Sequence, residues 1–226
     1  MKVNSIKKIM FCLLFTSSVV LLSVQTKGAM AAALPVSDNQ IQERVQNIVK
    51  DAQSLLNVAK DCLIKLCEGS YAKDGWTFKD FVWAFKGLAK GLDDKVLRPL
   101  KLLKVSVAGD SSWCKVLSMI QLVADEFYKR LTALSNDLHP YERTKNGTNS
   151  YKIAKIFENH VNVLLACIEK LKASLNEAIL ILTKRFGNDS LSEELTKFKE
   201  LLENLVFAGK RDIGFVSRII GRIKHN

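Results

Sequence analysis

Cysteine and histidine offer the widest chemistry in this chain, and both are few: five cysteines and three histidines among 226 residues. Cys12 falls in an apolar N-terminal run, which leaves Cys62, Cys67, Cys114 and Cys167. Four thiols can hold zinc, supply a nucleophile or form two disulfides. Zinc favours closely paired ligands, such as C-x-x-C or two histidines one helical turn apart. The cysteine gaps here are five, 47 and 53 residues, and His139, His160 and His225 stand singly, so no metal and no cofactor is expected. An even thiol count in an exported chain points to disulfides instead. Cys62 and Cys67 sit about 140° apart around a helix and should not pair with each other. The expected bonds are Cys67–Cys114 and Cys62–Cys167, on the premise that the second helix doubles back near residues 91–94.

Other chemistry leaves little trace. The glycines are scattered, with no G-x-G-x-x-G, no G-x-x-x-x-G-K-[ST] and no G-x-S-x-G. The acid pairs Asp93-Asp94 and Glu193-Glu194 fall at expected helix starts, where capping and the helix dipole explain them. No local catalytic set assembles, and the expectation is a protein that is not an enzyme. A hydrolase built from distant residues is the third-ranked reading. Asn146-Gly147-Thr148 and Asn188-Asp189-Ser190 are glycosylation triplets in expected loops, so Asn146 and Asn188 are candidate acceptors.

The elements that must position these residues begin after a targeting segment. Met1–Lys8 carries three lysines and no acid, Ile9–Val24 is a 16-residue, predominantly apolar and uncharged run, and Ala29-Met30-Ala31 ends the segment with small residues at Ala29 and Ala31. This is the pattern of a signal peptide over residues 1–31, cut before Ala32, and it implies a secreted protein. The apolar run is shorter than the roughly 20 residues of a membrane span. Residues 32–226 are then expected to form a single domain with net charge +7, from 30 bases against 23 acids.

Apolar residues recur at three- and four-residue steps through every long segment, which predicts an all-α helical bundle of five to six disulfide-linked helices. The first runs from Ser37, as N-cap, to about Cys67. The second is capped by Thr77, interrupted near 91–94 by Gly91 and the Asp93-Asp94 pair, and continues to about Val107. A third starts at Ser111 or Ser112 and ends near Ser135. The fourth spans about Tyr151 to Phe186 and stops at Gly187. A fifth opens at Ser190 or Ser192 and ends near Gly209, and a short sixth covers about Ile213–Lys224.

Charge is unevenly placed. Residues 77–107 hold seven bases and three acids, and residues 209–226 hold five bases and one acid; the rest of the domain is near neutral. The candidate binding residues are Lys86, Lys90, Lys95, Arg98, Lys101 and Lys104, with Arg218, Arg222 and Lys224. They suit electrostatic steering toward an anionic protein or polyanion outside the cell, with no nucleic-acid module in evidence. The leading expectation is a secreted, non-catalytic bundle that binds a macromolecule or anionic surface through this basic face. Both segments are also amphipathic, and Phe78, Phe81, Trp83 and Phe85 add aromatic character. The second-ranked reading is therefore a membrane-active or lipid-binding protein. An ordinary bundle helix, apolar side to the core and charged side to water, explains the same pattern more simply.

Overall fold

Ser37 opens the first helix with a reciprocal cap: its Oγ accepts from the Gln40 N–H at 3.4 Å, and Gln40 Oε1 accepts from the Ser37 N–H at 3.2 Å. The structure, a computed structural model, describes residues 37–68, 78–141 and 150–205. Helix α1 is Asp38–Glu68 and α2 is Phe78–Leu92, which runs through a π-turn, Asp93–Leu97, into α3, Arg98–Ser106. Helix α4 is Ser111–Leu138, followed by a 3-10 turn at His139–Tyr141. Helix α5 is Ser150–Phe186, and α6 covers 190–205. Among the described residues the chain is all-helical, with no strand. The expected signal segment 1–31, Asn146 and the C-terminal segment 209–226 lie outside the described residues.

The expected break at 91–94 is a change of helical pitch, not a reversal. Leu92 and Arg98 both keep right-handed helical dihedrals, and the Arg98 N–H donates to the Asp93 carbonyl five residues back. Two sequence features cause this. The buried residues Leu88, Leu92, Val96 and Leu100 are spaced by three successive four-residue steps. On a regular helix each such step drifts about 40°, so the stripe would leave the core; one wider turn brings it back. Pro99 also has no N–H to give to the carbonyl of Lys95, which loosens the ladder there. Close beside the π-turn, a Cβ on Gly91 would lie 2.9 Å from Leu55 Cδ2, so the small residue lets this rod press against α1.

Because the rod α2–α3 does not double back, the order of the helix ends differs from expectation. The rod runs antiparallel to α1, and α4 begins beside the start of α1, where Trp113 Nε1 donates to Asp38 Oδ1 at 2.8 Å. Helix α4 returns along the rod, and at its far end Ser135 Oγ donates to the Val82 carbonyl. Helix α5 runs back along α4. Helix α6 runs antiparallel to α5, with Lys172 to Glu203 at 3.3 Å, and it reaches α1 through Gln53 Nε2, which donates to the Glu194 carbonyl at 2.8 Å. The result is an up-and-down bundle in which α1, α4 and α6 point one way and the rod and α5 the other.

This topology corrects the expected disulfides. Cys67 and Asp38 are 29 residues apart on one helix, about 43 Å. Cys114 follows Trp113, which touches Asp38, so Cys67 and Cys114 belong to opposite ends of the bundle. The Cys62–Cys167 bond is not made either. Cys62, Cys114 and Cys167 are free thiols, and the side chain of Cys67 is outside the described ones. Cys62 is part of the α1 core stripe. Cys167 turns its sulfur toward Glu126 Oε1 on α4, 3.6 Å away, and Cys114 donates to the Val107 carbonyl.

The cores of the helices follow the apolar stripes. Ile41, Val45, Val49, Ala52 and Leu56 of α1 meet Phe81, Phe85, Leu88 and Leu92 of the rod and Trp113, Leu117, Ile120 and Phe127 of α4. Leu171, Leu175, Leu182, Leu195, Phe198 and Leu202 extend the same core through α5 and α6. Two helix starts shift by one residue. Asp110 caps α4, accepting from the Ser112 and Trp113 N–H groups, and Asp189 accepts from the Ser192 N–H at the start of α6. Gly187, at φ 77°, ends α5 in the left-handed conformation that favours glycine.

Candidate functional site

Burying one side of the rod leaves the opposite side as a ridge facing water. It carries Lys79, Trp83, Lys86, Lys90, Asp94, Lys95, Arg98, Lys101, Leu102 and Val105, all exposed. The same register that keeps Leu92, Val96 and Leu100 inside keeps these residues in line outside. From Lys79 to Val105 the ridge is about 39 Å long.

The six expected bases of this segment do not all stand alike. Arg98 is paired with Asp93 at 2.8 Å and Asp94 at 3.1 Å, so it offsets the segment's own acids. Lys104 is half-buried and donates to Gln121 Oε1 on α4 at 3.3 Å. Lys86, Lys90, Lys95 and Lys101 are exposed, with no ion pair among the described residues. Arg218, Arg222 and Lys224 lie outside the described residues, so their relation to the ridge is not defined. Asn188 is exposed in the turn between α5 and α6.

The aromatic residues divide. Phe81 and Phe85 are fully buried with ring centroids 6.4 Å apart, so they belong to the core and not to an interface. Trp83 is 62 % exposed, and the Lys79 ammonium sits 6.0 Å from its ring centroid. Leu102 and Val105 are 73 % and 78 % exposed, two apolar residues absent from the expected binding face. Their signal was available: they fall on the charged side of the wheel, where a leucine and a valine have no packing role.

A second cluster lies at the shared end of α1, α4 and α5. Arg185 donates to Asp110 Oδ2 at 2.6 Å and to both Asp38 oxygens at 2.9 and 3.0 Å, while its guanidinium lies 5.1 Å from the Phe186 ring. Asp110 holds Arg185 firmly protonated. The acids sit at helix N-termini and the arginine at a helix C-terminus, each favoured by the dipole. Arg185 of α5 thus bridges the starts of α1 and α4, a clasp between three helices.

The thiols and histidines do not converge. His160 Nε2 is 2.8 Å from Asp137 Oδ2, joining α5 to α4. Cys167 lies seven residues further along α5, about 10 Å. Burial, reinforced by Glu126, pushes the Cys167 thiol above its usual range, and burial pushes Cys62 up to about 11. Both shifts disfavour the thiolate that nucleophilic or metal chemistry needs. Among the described residues, no group of three or more His, Cys, Asp or Glu is arranged to hold a metal. A small apolar pocket of about 30 Å³ is lined by Leu56, Phe127, Leu131, Val161 and Leu205, with Arg130 and His160 beside them. That is room for about two water molecules, not for an acyl chain. No described helix is long and apolar enough to cross a membrane. Comparison with protein-family models, curated proteins and solved structures gives no match to this chain.

Proposed function

We propose that this is an exported, non-catalytic helical-bundle protein that binds an anionic macromolecular surface through the outer ridge of the α2–α3 rod. One observation carries the reading: Lys86, Lys90, Lys95 and Lys101 project from one helical ridge with no ion pair among the described residues. A surface whose only role is solubility mixes both signs of charge. Here two of the segment's three acids, Asp93 and Asp94, are engaged by Arg98, so the four lysines keep an excess of positive charge along the ridge. Such a field raises the local concentration and association rate of an anionic partner.

The test is a triple charge reversal, Lys86→Glu with Lys90→Glu and Lys101→Glu, in the full chain. The native protein should bind immobilised sulfated polysaccharide or anionic vesicles, and binding should weaken steeply as salt rises past physiological strength. The triple variant should keep the helical signal and melting temperature of the native protein while losing most of that binding. Native-level binding by the variant, or no binding to either anionic probe by the native chain, would reject the ridge as the binding surface. Export rests on the sequence of residues 1–31 and has its own check. N-terminal sequencing of material recovered outside the producing cell should read from Ala32; a chain retained inside with Met1 intact would refute it.

A further inference from the structure

We infer that the anionic surface is a lipid bilayer, against which the rod lies lengthwise; this rests on the reading of the ridge as a binding surface. The argument is the order of side chains along it. Trp83 marks one end and Leu102 and Val105 the other, 19 to 22 residues apart, or roughly 28–33 Å. Lys86, Lys90, Lys95 and Lys101 occupy the stretch between. A protein-binding hot spot has the reverse layout, an apolar centre inside a polar rim. A soluble polyanion would use the lysines and leave exposed Leu102 and Val105 without a contact. A planar interface accounts for all of them. A continuous helix laid lengthwise on a plane meets it with its outer ridge, where lysines reach headgroup phosphates and apolar tips enter the headgroup layer. Tryptophan suits that depth because its ring is apolar and its N–H polar.

Binding of this kind is shallow. Phe81, Phe85 and Leu92 on the far side of the rod are fully buried in the core, so the bundle stays closed and only the outer tips enter the headgroup layer. The membrane-active reading based on an inserting aromatic face is thereby narrowed to surface attachment. Among the described residues of the rod, the acids on the exposed side are Asp80 and Asp94, with Asp93 half-buried beneath Arg98.

The experiment is sedimentation of the full-length chain with phosphatidylcholine vesicles, with and without 30 mol% phosphatidylglycerol (roughly, as in anionic leaflets), alongside a soluble sulfated polysaccharide. Neutral vesicles set the background, since the N-terminal apolar run is present in every variant. The native chain should partition to anionic vesicles well above that background. The triple variant with Lys86→Glu, Lys90→Glu and Lys101→Glu should partition about 100-fold less, since each base near the surface is worth about 1 kcal/mol. A second variant, Trp83→Ser with Leu102→Ser and Val105→Ser, should weaken vesicle binding severalfold and leave polysaccharide binding unchanged. The chain has three tryptophans, so in a Trp76→Phe variant the emission change comes from exposed Trp83, Trp113 being buried, and it should shift to the blue on anionic vesicles. Lysine-dependent polysaccharide binding with no vesicle binding would overturn the lipid assignment and leave the anionic ridge standing. Vesicle binding that ignores the three serine substitutions would also overturn it. Loss of both kinds of binding in the native chain would reject the two proposals together.

Discussion

Trp113→Ala should lower the melting temperature by about 6–20 °C, the largest single-residue effect expected in this bundle. Trp113 is 1 % exposed and stands where three helix ends meet. Its ring centroid is 5.7 Å from that of Phe186, its indole N–H donates to Asp38, and the Arg185 guanidinium lies 5.9 Å from its ring. Truncating a buried tryptophan costs about 3–5 kcal/mol through lost transfer energy and the cavity left behind. For a domain of this size each kcal/mol moves the midpoint by about 2–4 °C. Trp113→Phe should recover most of the loss, because ring packing is kept and Asp38 retains Arg185 as a partner. Thermal melts followed by circular dichroism decide the matter. A fall under about 3 °C for the alanine variant would show that the three helix ends are held together by something other than this side chain.

The fold class was readable because amphipathic periodicity is a local property. Ile41, Val45, Val49, Phe81, Phe85 and Leu88 lie in the core where three- and four-residue spacing puts them. Cys62 joins that stripe as a small apolar residue, which explains its burial better than a bonding role does. Topology was harder, because it turns on one distinction. Gly91, Asp93, Asp94 and Pro99 read equally well as a reversal or as a widened turn. The triple four-residue step of Leu88, Leu92, Val96 and Leu100 favours the widened turn, since a reversal has no need to keep a stripe in register. A reversal there would put the start of α4 near Cys67; the widened turn puts it beside Asp38 instead, which separates Cys67 from Cys114.

The candidate site was half legible for a related reason. Composition alone locates the excess positive charge in residues 77–107, but not which bases are committed. Arg98 and Lys104 are engaged, by Asp93 with Asp94 and by Gln121, and only three-dimensional contacts separate them from Lys86, Lys90, Lys95 and Lys101. The aromatic content misled in the other direction. Phe81, Trp83 and Phe85 fall within five residues, yet a helix sends the two phenylalanines inward and the tryptophan out. Tertiary ties such as Arg185 to Asp38, 147 residues apart, leave no local pattern beyond acids at helix starts and a base at a helix end.

The ion pair of Arg185 with Asp110 makes the bundle sensitive to acid at that carboxylate. Burial acts to raise the Asp110 carboxyl, but the Trp113 N–H, the Arg185 guanidinium and the Ser112 N–H act the other way and prevail, holding it below its ordinary 3.8. A carboxylate depressed in the folded state stabilises the fold at every pH above its unfolded value. The contribution is lost as pH falls below about 3.8 toward the lower folded value. Asp110→Ala should therefore cost about 1–2 kcal/mol at pH 7 for the lost helix cap. Up to about 1 kcal/mol more comes from the ion pair with Arg185, a modest amount because both side chains are partly exposed and screened. Asp110→Asn keeps a cap of similar strength and should lose only the ion-pair part, with a smaller cost that added salt reduces. Denaturant melts of the three proteins at pH 7 and pH 3 test this directly. The gap between native and variant stabilities should narrow on acidification, more completely for Asn than for Ala. A gap of the same width at both pH values would show that the charge on Asp110 does not contribute to stability, and that the clasp with Arg185 holds by packing on Trp113 and Phe186 alone.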